Sequence, residues 1–365
     1  MQKTIAEISL RTIENNALFF KRRTGVKLCA VVKDDAYGHG AAEVAEALSG
    51  IADCFAVANA DEAATLRATT GKDILVLTPP ATEEEAIEIV LRGCILSVNG
   101  PSSACAAAAA GKFARKFGAA KARVHLKANT GMNRYGCRGA AFTRTCEILK
   151  NANDVSVEGV FSHLACAEDL AFARRQREEF INLCGMAERY FPGLIRHLSA
   201  TAGACLSGEF YFDMVRIGIG LYGYPPLETI RRNTENGVYG ASDGLKNGGF
   251  SAVKPAMKVY ARAVQNNIYR FGRIGYGCLS GTDGEKLHVI NAGYGNGFFR
   301  KVSNGMSGGD NAATPCMDAS IRYGAVPRGR RVCVMKNAEE TARAAGTIAY
   351  EVLCMAGKNA ERVYI

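Results

Sequence analysis

The sequence predicts an α/β chain in which an N-terminal (β/α)8 TIM-like barrel is followed by a mainly β C-terminal domain. At 365 residues the chain exceeds one typical hydrophobic core, so two domains are expected. Eight short apolar or β-branched runs occur in its first two thirds and alternate mostly with segments of helical periodicity, which is the pattern of such a barrel. Beyond "LYGYPP" (221–226) the chain is rich in Gly, Asn and Tyr and shows strand-like runs with little helical periodicity.

The eight runs are the candidate barrel strands. In chain order they are "VKLCAVV" (26–32), "CFAVAN" (54–59), "DILVLT" (73–78), "CILSVN" (94–99), "RVHLKA" (123–128), "VEGVFSH" (157–163), "LIRHLS" (194–199) and "MVRIGIG" (214–220). Apolar residues at three- and four-residue steps predict helices between most of them, over 40–50, 59–71, 82–93, 102–118 and 168–191. A doubly wound sheet is the alternative, although no GxGxxG follows the first strand.

The domain boundary is placed after residue 232. The barrel is predicted over 10–232 and the β domain over 233–365, with residues 1–9 packing on the latter. Four strand-like runs mark the second domain: "VKPAMKVYARAVQ" (253–265), "KLHVINAGYG" (286–295), "RRVCVM" (330–335) and "TIAYEVL" (347–353). Its one helix-like run is "NAEETARAAG" (337–346), and "KVSNGMSGGDNAATP" (301–315) is typical of a surface loop.

Composition excludes several classes of protein. Hydrophobic residues make up 48% of the chain and charged residues 22%, which is ordinary for a globular protein. No apolar run approaches the roughly 20 residues of a membrane span, and the start lacks a secretory signal. The 13 cysteines lie mostly among apolar neighbours without zinc-ligand spacing, so reduced thiols and a cytoplasmic location are expected. The net charge of +10 is dispersed, so no nucleic-acid partner is expected.

Polar residues fall at the carboxyl ends of the predicted strands, where the active site of such a barrel lies. They are Lys33, Lys127, Arg134, His163, His197 and Arg216. Taken alone, the histidines and Arg134 are more often structural or solvated residues, and Lys127 more often a snorkelling one. Lys33 is more informative, because it follows five apolar residues and precedes a polar, glycine-containing turn in "AVVKDDAYGHG" (30–40). A desolvated lysine is a nucleophilic amine suited to Schiff-base chemistry.

The loops after the seventh and eighth strands predict a phosphate site. They contain "SATAGA" (199–204) and "RIGIGLYG" (216–223). Thr201 offers a hydroxyl, and Gly203 and Gly218 allow close approach of a phosphate to the backbone. A Schiff-base lysine combined with a phosphate site indicates pyridoxal 5'-phosphate (PLP), which needs both.

These residues belong to segments that resemble the alanine racemase family. The segment "AVVKDDAYGHG" resembles the family's cofactor-lysine motif. Six further segments match in order along nearly the whole chain: "AEISLRTIENN" (6–16), "LKANTGMNRYG" (126–136), "DMVRIGIGLYG" (213–223), "IGYGCLS" (274–280), "CMDAS" (316–320) and "GTIAYEVL" (346–353). Seven motifs in the expected order identify the chain as a member of this family.

The resemblance implies a PLP-dependent racemase of alanine that acts through two bases in a homodimer. Lys33 binds the cofactor covalently and is one base, and Tyr276 of the partner subunit is the other. The phosphate is held by Tyr37, Thr201, Gly218, Ile219 and Tyr350. Arg216 faces the pyridine nitrogen, with His197 behind it.

The resemblance also assigns the substrate side of the site. Arg134 contacts the cofactor's phenolic oxygen and helps bind the substrate carboxylate, with a carbamylated Lys127 behind it. Met317 of the partner subunit offers its backbone N–H to the same carboxylate. His163 hydrogen-bonds Tyr276, and Tyr294 narrows the entrance. In this family the product, D-alanine, is supplied for peptidoglycan.

An arginine at the pyridine nitrogen favours racemisation over other PLP chemistry. Arginine gives up a proton only at very high pH, so the ring nitrogen stays neutral and the carbanion is less stabilised. Fast reprotonation then limits transamination. A decarboxylase of the related barrel fold is disfavoured, because those enzymes place a carboxylate there. A racemase of serine or a basic amino acid, and a PLP-binding protein without turnover, remain alternatives.

Four features depart from the family's usual pattern. They are Asp35 in place of asparagine, Ala200 in place of asparagine, "GYGNGFFR" (293–300) in place of a "GYADG" pattern, and the 301–315 loop. Asp35 adds a negative charge two residues from Lys33. None of the four removes a role given above, and together they affect the expected substrate preference and entrance shape.

Overall fold

The computed structural model describes residues 4–226, 249–276, 279–302 and 312–365. It divides into two compact units. One contains residues 14–33 and 45–253, and the other contains residues 1–13, 34–44 and 254–365. The predicted boundary at 232–233 lies outside the described residues, as does 303–311 of the predicted loop.

The first unit is built on eight parallel strands. Strand β1 (Thr4–Ile8) belongs to the other unit, and the eight that follow are β2 (Lys27–Val31), β3 (Cys54–Val57), β4 (Ile74–Val76), β5 (Leu96–Val98), β6 (Ala122–Lys127), β7 (Val155–Phe161), β8 (Ile195–His197) and β9 (Met214–Ile217). They pair in the orders β4-β3-β2-β9 and β5-β6-β7-β8, and every pair is parallel.

Two contacts close these strands into a barrel. A parallel bridge between Leu75 and Ile95 joins β4 to β5. On the other side, the Arg216 N–H donates to the Ser199 carbonyl at 2.9 Å, which joins β9 to the end of β8. The predicted (β/α)8 barrel is therefore confirmed, and the doubly wound alternative is wrong.

Helices alternate with the strands. They are α1 (Leu10–Thr24), α2 (Ala41–Ala47), α3 (Ala60–Arg67), α4 (Glu83–Leu91), α5 (Pro101–Arg115), α6 (Gly139–Lys150), α7 (Leu170–Glu188) and the single turn α8 (Thr201–Ala204). Asn59, Thr82 and Asp169 begin α3, α4 and α7, and each side chain accepts a backbone N–H of the first turn. The sequence predicted five of these helices but not α1, α6 or α8. No helix among the described residues is long and apolar enough to cross a membrane.

The second unit is mainly a β-sheet of seven strands. Besides β1 it contains β10 (Met257–Ile268), β11 (Lys286–Ile290), β12 (Ala312–Pro315), β13 (Ser320–Tyr323), β14 (Arg331–Met335) and β15 (Ala360–Tyr364). The order is β12-β13-β11-β10-β1-β15, with β14 also paired to β10. The first strand of the chain thus lies between β10 and β15.

Two helices, α9 (Ala338–Ala345) and α10 (Ala349–Lys358), complete this unit. Helix α9 was predicted, but the strand predicted over 347–353 is wrong. Ile348 is extended there, but α10 begins at Ala349 and buries Ala349, Val352, Leu353 and Ala356. That spacing of three and four residues is the apolar face of a helix, and it outweighs the local β-branched signal.

Two glycines in the barrel helices provide a matched test of packing. A Cβ on Gly111 in α5 would overlap the Asp154 carbonyl oxygen, whereas a Cβ on Gly185 in α7 would meet nothing within 4 Å. Gly185→Ala is expected to stabilise the protein by about 1 kcal/mol, because alanine is the better helix former. Gly111→Ala gains the same propensity and is nevertheless expected to lose about 1–3 kcal/mol to overpacking. Urea unfolding of both variants checks this, and equal stabilisation of both would contradict the described packing.

Candidate active site

The predicted polar residues of the barrel lie at or near the carboxyl ends of its strands. Lys127 is the last residue of β6, His197 is the last of β8, and Arg216 lies within β9. Lys33 and His163 were predicted to end strands, and the structure places each two residues beyond the strand. Both still follow the carboxyl ends, where the loops of a barrel build its active site.

The backbone of Asp34, Asp35, Ala36 and Tyr37 forms a left-handed turn directly after Lys33. Their φ angles are 54°, 53°, 55° and 54°. The left-handed region costs roughly 1–2 kcal/mol per residue for side chains other than glycine, so other interactions must hold the turn. Within the second unit, Lys358 pairs with Asp34 at 2.5 Å and Arg362 pairs with Asp35 at 2.5 Å.

Asp35 is therefore a structural anchor and its charge is compensated. One carboxylate oxygen accepts the Ala41 N–H at 2.7 Å, and the other contacts the Arg362 guanidinium. An asparagine could accept the same N–H but could not form the ion pair. The negative charge of the aspartate at position 35 is thus balanced by Arg362.

Helix α10 positions the two tyrosines of the predicted phosphate site within this unit. The Tyr37 and Tyr350 rings lie 5.7 Å apart at an angle of 55°. A Cβ on Gly38 would come within 2.6 Å of the Leu353 carbonyl oxygen, so the turn packs directly on the backbone of α10. Tyr37 is buried, and Tyr350 is 43% exposed.

Arg216 is a buried guanidinium with nearly all of its donors used. It is 3% exposed. Nη1 donates to His197 Nδ1 and to the His197 carbonyl, both at 2.8 Å. Nη2 donates to the carbonyls of Ser162 at 2.6 Å and Leu198 at 3.0 Å, and lies 3.3 Å from His163 Nδ1. Within the described part of the chain Nε has no acceptor. Burial lowers the pKa of Arg216 to about 10, so it remains a cation at neutral pH.

Arg216 fixes the tautomers of both neighbouring histidines. A guanidinium can only donate, so His163 and His197 accept at Nδ1 and, when neutral, carry their proton on Nε2. Burial, followed by the charge of Arg216, holds the pKa of each histidine well below its usual range. The His197 ring also stacks on Phe161, with centroids 4.9 Å apart. His163 thus presents a donor Nε2–H.

Lys127 is buried beside these groups. It is 7% exposed, and its Nζ lies 4.3 Å above the Phe161 ring. Burial, and then the charges of Arg216 and Arg134, hold its pKa well below the usual value for lysine. No ion pair links Lys127, Arg134 or Arg216 to a carboxylate within the residues that the structure describes. The positive charge near His163 is therefore not neutralised by these described carboxylates, and it favours an anionic ligand.

The loop after β6 carries Arg134. Its ends are closed by hydrogen bonds from the Cys137 N–H to the Lys127 carbonyl at 3.3 Å and from the Asn129 N–H to the Cys137 carbonyl at 3.0 Å. Gly136 has a φ of +104° and approaches the Lys127 carbonyl so closely that a Cβ would lie 2.8 Å from it. Arg134 is exposed at the tip of this loop.

Thr201 joins the loops after β8 and β9. Its Oγ1 accepts the N–H groups of Gly218 and Gly220, each at 3.3 Å, so its own hydroxyl hydrogen remains to donate. Gly220 is required, because a Cβ there would lie 2.6 Å from Phe20 and 2.7 Å from Thr201. The resemblance implied that Gly218 helps to hold a phosphate, and in the structure its N–H donates to Thr201 Oγ1.

Several backbone donors at this place have no acceptor among the described residues. They are the N–H groups of Thr201, Ala202, Gly203 and Ile219. Ala200, which precedes the turn α8, provides no side-chain cap. Its alanine side chain therefore leaves these donors to a ligand. Together with the Thr201 hydroxyl they suit an anion with several oxygens.

In the second unit, Tyr276, Tyr294 and Met317 are 74%, 40% and 63% exposed. The N–H groups of Tyr294 and Gly295 donate to the carbonyls of Cys316 at 2.9 Å and Met317 at 2.7 Å. A Cβ on Gly295 would lie 2.8 Å from the Met317 carbonyl oxygen. The unusual "GYGNGFFR" segment is therefore fitted to the backbone that carries Met317.

Sequence reasoning missed Gln176 on α7. Its buried side chain donates to Thr130 Oγ1 at 3.3 Å and to the His163 carbonyl at 3.2 Å, and it accepts the Ala165 N–H at 2.9 Å. It thereby joins the loops after β6 and β7. The available signal was its position on the otherwise apolar face of α7, between Ala173 and Phe180.

Two family models match the chain in succession. "Alanine racemase, N-terminal domain" matches residues 8–226, and "Alanine racemase, C-terminal domain" matches residues 256–364. Among curated proteins, an alanine racemase of Francisella philomiragia is 32% identical over 319 residues, covering 85% of this chain and 81% of the relative. Alanine racemase 2 of Oceanobacillus iheyensis is 30% identical over 399 residues, covering 99% of this chain and 93% of the relative.

Solved structures with the same fold include two alanine racemases. That of Clostridium difficile 630 has a TM-score of 0.84 at 27% identity, covering 100% of this chain and 96% of that one. That of Bartonella henselae has a TM-score of 0.82 at 25% identity and covers 100% of both chains. The Bartonella structure contains covalently bound pyridoxal phosphate.

Proposed function

The chain belongs to the alanine racemase family, and we propose that it interconverts L-alanine and D-alanine with PLP as its cofactor. One observation carries this proposal within the barrel. A buried arginine, Arg216, stands where many PLP enzymes use a carboxylate, and its Nε–H has no acceptor among the described residues.

The described residues of the barrel fit PLP. The Thr201 hydroxyl and the N–H group of Ile219 suit the phosphate, and Arg216 Nε suits the pyridine nitrogen. Lys33 follows β2, whose end is fixed by the Tyr222 hydroxyl donating to the Val31 carbonyl at 3.1 Å. Tyr37 and Tyr350 of the second unit are also proposed to bind the phosphate. Gly218 is proposed to contribute indirectly, because its N–H donates to Thr201 Oγ1.

The chain's own residues would move the α-proton. When bound, PLP supplies an electron sink for the charge left by that proton. Lys33 takes or returns the proton on one face of the substrate, and Tyr276 of the partner subunit does so on the other. His163 donates its Nε2–H to that phenolic oxygen, which favours the phenolate form that a base requires.

With PLP bound, Arg216 would face the pyridine nitrogen with its Nε–H, a donor that does not readily transfer its proton, so that nitrogen would stay unprotonated. His197 holds Arg216 in place through Nδ1. An unprotonated ring would be a weaker electron sink, and this would favour return of the proton to the same carbon atom by Lys33 or by Tyr276 of the partner subunit.

Arg134 and the backbone N–H of the partner subunit's Met317 are proposed to bind the substrate carboxylate. Burial lowers the pKa of Lys127, which lies behind Arg134, and so favours the neutral amine; in that form it would add carbon dioxide, forming an N–C bond and releasing one proton. The resulting carbamate provides the negative charge that the cations around it lack. Tyr294 is proposed to narrow the entrance, and Tyr350 to limit the substrate to a small side chain.

A homodimer with shared active sites is proposed because the second unit exposes the residues assigned to the neighbour's site. Tyr276 and Met317 are 74% and 63% exposed, and Ile348 is 61% exposed. Such large apolar side chains suit an interface between subunits. The cytoplasm is the proposed location, since none of the 12 cysteines of the described residues forms a disulfide. The proposed use of D-alanine is in peptidoglycan.

Hydrogen–deuterium exchange at the α-carbon tests the function. The PLP-loaded protein is incubated in D2O with each of L-alanine, L-serine, L-lysine and L-arginine, and proton NMR is followed by chiral analysis. We expect loss of the alanine α-proton signal together with formation of D-alanine, faster than for the other three. Faster conversion of serine or a basic amino acid would replace alanine as the substrate. Cofactor binding without exchange of any of them would contradict the proposed activity.

Subunit complementation tests the shared site. Lys33→Ala and Tyr276→Phe should each fail to racemise alanine, with Tyr276→Phe still binding the cofactor. When the two variants are unfolded and refolded together, random pairing of a two-fold dimer restores one intact site in each mixed dimer, so about a quarter of the wild-type activity should return. Refolding each variant alone is the matched control. No recovery in the mixture, with dimers present, would contradict a base supplied by the partner.

A further inference from the structure

His125 lies behind His197 in the interior of the barrel. It is 3% exposed, and its Nδ1 lies 2.9 Å from His197 Nε2. The two rings meet edge to face, with centroids 5.0 Å apart. His125 thus extends the series of hydrogen bonds that begins at Arg216.

The direction of this series of hydrogen bonds follows from Arg216. Because the guanidinium donates to His197 Nδ1, a neutral His197 carries its proton on Nε2 and must donate it to His125 Nδ1. His125 therefore carries its own proton on Nε2. Burial, followed by the charges of Arg123 and Arg216, lowers the pKa of His125 to about 3, which agrees with the neutral form.

The last donor in this series of hydrogen bonds, His125 Nε2–H, is unsatisfied. His125 Nε2 is buried and has no hydrogen-bond partner among the described residues. A buried donor without an acceptor costs stability, and an apolar side chain of similar size would avoid that cost. Packing alone therefore does not explain a histidine at this position.

The barrel is shaped locally to accept this ring. Strands β6 and β7 change register between Val124 and His125, where the pairing moves to Gly159. A Cβ on Gly159 would lie 2.7 Å from His125 Cε1. A β-bulge and a residue without a side chain thus make the space that the imidazole fills.

We propose that His125 is a positioning residue for the proposed racemase reaction: it accepts the His197 Nε2–H and so holds His197 as the Nδ1 acceptor that orients Arg216 toward the cofactor. The inference rests on the proposed function for its effect on turnover. Its hydrogen-bond direction rests on the barrel alone.

Histidine tautomers provide the first test. The cofactor-loaded protein, labelled with ¹⁵N-histidine, is studied by NMR, and each of its five histidines is assigned by substitution. We expect His197 to be neutral, with its proton on Nε2 and Nδ1 unprotonated. A proton on His197 Nδ1 would overturn the proposal whatever the enzyme's activity.

Three variants provide the second test. His125→Leu removes the acceptor, Gly159→Ala displaces the ring without changing it, and His125→Asn keeps an acceptor oxygen near the position of Nδ1. We expect kcat for alanine to fall by about tenfold or more in the first two, with KM within about threefold, since the loss leaves a buried donor unpaired. The absorption spectrum of the bound cofactor should change in parallel. His125→Asn should recover most of kcat and the wild-type spectrum.

His288→Leu is the matched control. His288 is another buried histidine whose Nε2 lacks a partner among the described residues, and its Nδ1 lies 3.0 Å from the Gly324 carbonyl in the β domain. The His288→Leu variant should be less stable than the wild type, but its kcat and its cofactor absorption spectrum should be unchanged. Equal kcat in His125→Leu and wild type, no recovery in His125→Asn, or an equal loss in His288→Leu would overturn the proposal. If the wild type does not racemise alanine, the proposed function fails, and the tautomers and cofactor spectra alone decide the role of His125.

Discussion

The site depends on a buried cation that has no carboxylate partner among the described residues. Arg216 is 3% exposed and donates to three backbone carbonyls and two imidazole nitrogens. Neutral acceptors satisfy its Nη donors but do not cancel its charge, which adds to burial in lowering the pKa of the nearby histidines and Lys127. An anionic cofactor and substrate would supply the missing charge. The same constraint makes the barrel favourable for binding them and unfavourable for an extra cation.

This arrangement requires an interior that differs from that of an ordinary barrel, whose strands meet in layers of branched apolar side chains. Here Arg216, His197 and His125 form a polar row within the strands. Arg123 lies two residues before His125 on the same strand. Arg123 pairs with Asp73 and Glu158 and is thus compensated, unlike Arg216. The two arginines therefore have different consequences: the partly exposed Arg123 stabilises the barrel through its ion pairs, and the buried Arg216 leaves a charge to be met by a ligand.

The barrel and the ends of its strands could be predicted from the sequence, because short apolar runs alternate with segments of helical periodicity over a long stretch. Lys127 could be placed correctly since it directly ends such a run. Residues 347–353 were predicted as a strand, but they lie largely in the helix at 349–358. The helical spacing of its apolar residues becomes clear only when residues after 353, such as Ala356, are included. The left-handed turn at 34–37 could not be predicted, since its anchors, such as Arg362, lie more than 300 positions away in the chain. Gln176 was missed because its partners meet only in the folded barrel.

The ¹⁵N chemical shift of the ring nitrogen in bound, ¹⁵N-labelled PLP tests the central claim most directly. If Arg216 donates Nε–H to that nitrogen and keeps its proton, the shift should be that of a hydrogen-bonded but unprotonated pyridine throughout the pH range in which the protein is folded. A shift typical of a protonated pyridinium at neutral pH would contradict the account, because the ring would then be a strong electron sink and Arg216 would not be its partner.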